Sequence, residues 1–161
     1  MFTYQGRTAL VTGASSGIGE AFARALAGRG MNVVLVARSE EKLRALAAEL
    51  SGQYCVRAEV MAADLGQEQA VQLIEQEVER RGLTIDLLVN NAGFGTYGLF
   101  ETLSPEREHQ EVMVNIAATV ALTHAFVPSM TARGQGAVIN LSSVAGFQPL
   151  PYMAVYGASS P

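Results

Sequence analysis

Cysteine occurs once in these 161 residues, at Cys55, so no disulfide can form within the chain and a reducing compartment fits. Positive charge is also scarce. Lys and Arg number 11 against 15 Asp and Glu, a net charge of −4, and nucleic-acid binding, which needs a basic face, is disfavoured. Lysine itself occurs only at Lys42. No uninterrupted apolar run approaches the length of a membrane span. The opening Met1-Phe2-Thr3-Tyr4-Gln5-Gly6-Arg7 lacks the basic flank and apolar stretch of a signal peptide. A cytoplasmic protein with neither membrane nor nucleic-acid partner is therefore expected. Internal repeats, low-complexity segments and linkers are missing too. One domain over 1–161 follows, and a hydrophobic content of 49% suffices for its core.

What is present alternates between two kinds of segment. Apolar runs over Thr8–Thr12, Asn32–Ala37, 85–89 and 137–141 read as strands, the second being rich in β-branched residues suited to burial on both faces. Ile18, Phe22, Ala25 and Leu26 share one helical stripe, and Ala70, Val71, Ile74 and Val78 share another within 67–81. Ser39 is placed to cap a helix over 40–50, with Glu40 and Glu41 at its positive end and Ser51-Gly52 breaking it. A mixed pattern over 53–60 reads as a further strand. Ser104-Pro105 opens a long helix that reaches about residue 131 and bends ahead of Pro128. Strands separated by helices in this way predict right-handed βαβ units. The fold class is α/β, a doubly wound parallel sheet of Rossmann type with five strands.

The strongest motif, Thr12-Gly13-Ala14-Ser15-Ser16-Gly17-Ile18-Gly19, follows the first strand and opens the first helix. Glycines suit a sharp turn that must let a phosphate approach the backbone, where the unpaired amides of the helix start hold the anion. A glycine-rich turn can also be an ordinary tight loop; the strand before it and the helix after it favour the phosphate. The spacing Gly-x-x-x-Gly-x-Gly resembles that of the short-chain dehydrogenase/reductase family, and further motifs carry the resemblance along nearly the whole chain. It implies that Gly13, Ser15, Ser16, Gly17, Ile18 and Gly19 bind the phosphates of a nicotinamide dinucleotide.

The residue after the second strand selects the cofactor. NAD enzymes place a carboxylate there for the ribose 2′-hydroxyl, but Val36-Ala37-Arg38 has no acid at 37 or 38. Arg38 can pair with a 2′-phosphate, which predicts NADP(H); the bland alternative is a solvated surface arginine. By resemblance Asp64 and Leu65 contact adenine, although Asp64 could equally cap the next helix. Asn91, Ala92 and Gly93, in Asn90-Asn91-Ala92-Gly93, match the family motif that braces the sheet and leaves room for the cofactor. Asp86 reads as a structural start to its strand.

The resemblance also supplies three catalytic positions: Asn115 in a proton relay, Ser143 for the substrate oxygen, and Tyr156 as general acid/base. Ser143 stands 13 positions before Tyr156, the family's spacing. Taken singly, Asn115 and Ser143 could be structural. The family pattern Tyr-x-x-x-Lys is broken, because Tyr156-Gly157-Ala158-Ser159-Ser160 puts serine at the lysine position. A phenol, whose reference pKa is about 10, is a poor acid/base at neutral pH without a nearby cation. Lys42 belongs beside Arg38, at the adenosine end.

The family would continue past Pro161 with the rest of the tyrosine helix, two strands and a substrate loop, so 137–141 is expected to form an exposed apolar edge. A shifted reading frame, an early stop or a sequence boundary would each account for Ser160-Pro161. Two functions are weighed: an NADP(H)-dependent oxidoreductase on a small carbonyl or alcohol, impaired in this form, or a non-catalytic nucleotide-binding or interaction module. Arg38 disfavours a methyltransferase, and the turn lacks the lysine of a P-loop kinase. His109 and His124, 15 apart with no third ligand at suitable spacing, do not predict a metal site. Apolar residues at Tyr97, Phe100 and over 147–153 suggest an apolar substrate, or core packing. A homo-oligomer is compatible with the family.

Overall fold

Thr8–Thr12 (β1), Asn32–Ala37 (β2), Ala58–Ala62 (β3), Leu87–Asn90 (β4) and Ala137–Asn140 (β5) form one sheet in the order β3-β2-β1-β4-β5. Every pairing is parallel. The computed structural model describes residues 3–160. From β1 the chain runs outward to β2 and β3, then crosses back to β4 and β5. That reversal opens a crevice at the carboxyl ends of β1 and β4, the place where open α/β sheets take their ligands.

Side chains alternate across the sheet with the period of two that extended chain imposes. Ala9, Val11, Val33, Leu35, Leu87 and Val89 face Gly17–Ala27 (α1) and Glu40–Tyr54 (α2), where Ala23, Leu26, Leu43 and Leu50 complete the layer. Leu10, Val34, Val36 and Leu88 face Ala70–Arg80 (α3) and Ala118–Ala132 (α5), meeting Ile74, Val78, Leu122 and Phe126. Helices thus cover both faces, as a doubly wound sheet requires.

Several boundaries differ from the sequence expectation. α2 passes through Ser51-Gly52 to Tyr54, because Leu50 is fully buried and Tyr54 also packs on the core. It ends at Cys55, whose φ of +55° is left-handed and whose N–H returns to the Ser51 carbonyl. Ser39 precedes α2 without a side-chain capping bond. With 53–54 taken by the helix, β3 begins at Ala58, in register with Val33 of β2. Ser104 does cap Pro105–Val112 (α4), accepting from the Arg107 N–H at 3.3 Å.

The long helix is interrupted at Met113–Ala117, a π-helical turn between α4 and α5, and Pro128 lies within α5. By length and composition Pro105–Ala132 could cross a membrane; its polar residues are scattered, so no uninterrupted apolar run marks it. Here its Leu122, Phe126 and Met130 are buried against the sheet. β5 is an edge strand, with Ile139 36% exposed. A short helix, Ala154–Ser159 (α6), follows the loop after β5.

Candidate cofactor and catalytic site

The turn from β1 into α1 needs its three glycines for different reasons. Gly13 and Gly17 have φ of +65° and +57°, the left-handed region that side chains resist. Gly19 is needed for space, since a Cβ there would stand 2.3 Å from the Gly13 carbonyl oxygen. Thr12 and Asn91 clasp this turn to the end of β4. The Thr12 hydroxyl accepts from the Asn91 and Ala92 N–H groups, both at 2.9 Å, and the Asn91 amide donates to the Thr12 carbonyl at 2.8 Å.

Around the clasp opens a cleft of about 720 Å³. Gly13, Ser15, Ser16 and Ile18 form its floor at the turn, with Ile18 62% exposed. Arg38 lines it after β2, Asp64 and Leu65 after β3, and Asn91, Ala92 and Gly93 after β4. Gly17 and Gly19 shape the turn without lining the cleft. The Asp64 carboxylate accepts from the Gly66 N–H at 3.1 Å, so it fixes its own loop rather than capping α3, which starts at Ala70. Asp86 is structural: it accepts from the Thr8 N–H and lies 3.7 Å from Arg133.

Lys42 also lines the cleft, beside Arg38 as expected, and so do Phe94, Arg107, Gln110 and Val114, which were not foreseen. The only hint was the helical spacing of 107, 110 and 114, and charged or amide residues at such positions ordinarily mark a solvated face.

The three proposed catalytic residues lie outside that lining and converge on α6. Asn115 sits in the π-helical turn, a geometry common at functional sites. Its Oδ1 accepts from the Phe94 N–H at 3.1 Å, and its Nδ2 donates to the Phe94 carbonyl and to the Ser159 hydroxyl, both at 3.0 Å. Ser143 donates its N–H to the Ser160 carbonyl at 3.3 Å, while its hydroxyl oxygen accepts from the Ala145 N–H at 3.2 Å. The Tyr156 ring lies against Gly95, where a Cβ would approach to 2.8 Å. Asn115 therefore reaches the tyrosine helix through Ser159, and Ser143 reaches its end through Ser160.

One member of the site was illegible in sequence. Glu111 is fully buried, and its Oε2 accepts from both the N–H and the hydroxyl of Thr96, at 2.8 and 2.7 Å. It ties the loop that carries Gly95 to α4. Among the described residues its Oε1 has no partner, and no cluster of three His, Cys, Asp or Glu could hold a metal.

Residues 7–160 match the short chain dehydrogenase family. The chain belongs to that family. It is 40% identical over 157 residues to hydroxysteroid dehydrogenase-like protein 1 of Gallus gallus, covering 96% of this chain and 47% of that protein. The structure superposes with a TM-score of 0.89 on the bulky-bulky ketone specific alcohol dehydrogenase of Comamonas testosteroni, at 37% identity, over 96% of this chain and 61% of that one. A short-chain dehydrogenase of Sphingobium yanoikuyae, solved in complex with NADPH, gives 0.89 at 38% identity, with coverages of 96% and 60%. The chain thus spans about half the length of the curated relatives it matches.

Proposed function

We propose that this chain is the NADP(H)-binding part of a carbonyl reductase or alcohol dehydrogenase. The observation that carries the proposal is Arg38 lining the cleft where an NAD enzyme would have an acid. The cleft fits a dinucleotide. Its volume is within the roughly 300–1,000 Å³ of cofactor sites, and Gly13 and Gly19 let the turn close on Asn91, whose side-chain amide Cβ atoms there would meet at 2.7 and 2.5 Å. Gly13, Ser15, Ser16 and Ile18 would hold the phosphates, Arg38 the 2′-phosphate, Asp64 and Leu65 the adenine, with Asn91, Ala92 and Gly93 beside the ribose.

A bound nicotinamide supplies or accepts a hydride. The Ser143 hydroxyl accepts from Ala145 and keeps its own proton free to donate to a substrate oxygen. Tyr156 would exchange a proton with that oxygen, and Asn115 would hold the helix that carries it. Position 160 offers only serine. We therefore expect binding without turnover from this chain alone, the reading of a nucleotide-binding module. Exposed Tyr97 and Tyr152, with ring centroids 5.7 Å apart, and the exposed Phe147 favour an apolar carbonyl or alcohol as substrate. A cytoplasmic location fits the exposed thiol of Cys55.

The test is a titration of NADPH and NADH against the wild type and Arg38→Asp, with an assay on a panel of aldehydes and ketones. The wild type should prefer NADPH, the variant should lose that preference, and turnover should be absent. An unchanged NADPH preference in Arg38→Asp would overturn the cofactor assignment, and turnover typical of a reductase would overturn the reading of position 160.

A further inference from the structure

The cleft has a second basic wall. Most arginines in this protein are neutralised by acids: Arg24, Arg44, Arg57, Arg80, Arg81 and Arg133 all stand within 4 Å of a carboxylate. The three cations that line the cleft, Arg38, Lys42 and Arg107, make no ion pair among the described residues. In a chain of net negative charge, three unpaired cations around one cleft fit an anionic ligand.

Arg38 and Lys42 come from the β2 side, whereas Arg107 comes from the first turn of α4, after β4. Arg107 is also held in place. Its guanidinium lies over the Phe94 ring, 4.1 Å from the centroid, and one nitrogen donates to the Gln110 side chain at 3.5 Å. Phe94 is in turn fixed by Asn115, which bonds both its N–H and its carbonyl. A guanidinium stacked on an anchored ring loses little further freedom on binding and keeps donors free for phosphate.

We propose that Arg107 is a phosphate-binding residue of the dinucleotide site, reading the anionic cofactor from the wall opposite Arg38. The proposal rests on the dinucleotide reading of the cleft. Two phosphate sources share this chemistry, the pyrophosphate common to both nicotinamide cofactors and the 2′-phosphate of NADP(H) alone.

NADPH and NADH are titrated by cofactor fluorescence against the full chain as wild type, Arg107→Ala, Arg107→Lys and Phe94→Leu. Arg107 is exposed, so its variants should melt like the wild type. Arg107→Ala should weaken NADPH about fivefold, as expected for a partly solvated ion pair, and Arg107→Lys should recover most of the loss. Phe94→Leu should give a smaller loss, because the guanidinium stays but its platform goes. Equal loss for both cofactors assigns the pyrophosphate; loss for NADPH alone assigns the 2′-phosphate. If the wild type binds and Arg107→Ala stays within twofold of it for both cofactors, the role of Arg107 is overturned and the dinucleotide site stands. If the wild type binds neither, the dinucleotide reading falls, and this proposal with it.

Discussion

The Asn115 side-chain amide donates to the Ser159 hydroxyl at 3.0 Å, fastening α6 to the π-helical turn between α4 and α5. The same side chain pairs with both backbone groups of Phe94, so three segments meet at one residue.

Replacing Asn115 by leucine should therefore cost much more than removing Ser159 alone. Asn115→Leu leaves the Phe94 N–H and carbonyl without partners, at about 3 kcal/mol, whereas Ser159→Ala loses the bond from Asn115 and a long one of 3.5 Å to the Tyr156 carbonyl, at about 1 kcal/mol together. Urea unfolding of both variants checks this. Equal losses would mean that the Phe94 bonds contribute nothing.

Glu111→Ala should release the loop at Thr96, which depends on the buried carboxylate for both of its bonds. Hydrogen exchange at the Thr96 amide should accelerate at least about tenfold, with a stability loss of about 2 kcal/mol. Glu111→Gln keeps an acceptor oxygen and should fall between. An unaltered exchange rate in the alanine variant would show that the loop is held by other contacts.

The glycines of the turn can be separated by experiment. Gly17→Ala meets open space and pays only for its positive φ, about 1–2 kcal/mol. Gly19→Ala must displace the Gly13 carbonyl, so it should reduce NADPH affinity at least about tenfold, and more than Gly17→Ala does. Isothermal titration of both variants decides the order.

Acid stability should be sensitive to Glu77. Hydrogen bonds from Arg80, then from Arg81, lower its pKa from 4.5 to about 2. A depressed carboxylate stabilises the fold fully above its unfolded value and loses that contribution as pH falls through the folded one. The melting temperatures of wild type and Glu77→Gln should differ by a constant amount above about pH 5 and converge towards pH 2. A difference that does not shrink on acidification would rule this out.

Most of the sheet was legible because four strands are short apolar runs, two of the helices between them carry an apolar stripe, and the glycine turn marks where the first strand gives way to the first helix. β3 was misplaced because α2 runs on through Gln53 to Tyr54, and it is the packing of Tyr54 on the core, not a local pattern, that extends the helix. The π-helical turn has no local sequence mark, since Asn115 bonds to a segment 21 residues away. Glu111 was hidden for a similar reason: a glutamate in the charged stretch 106–111 reads as solvent-facing until Thr96 is folded onto it. Arg107 reads as one more exposed charge, and its stacking on Phe94, 13 positions away, has no mark in the local sequence.

The clasp between Thr12 and Asn91 spans 79 positions of chain. Local pairing can assemble β1, β2 and β3 with their helices early, whereas contacts of such separation form late and slowly. The phosphate turn is finished only when Asn91 docks against it. If the cleft takes the proposed dinucleotide, a chain emerging from the ribosome would gain that affinity only after β4 has been made, and cofactor binding would report the docking of β4 against the phosphate turn.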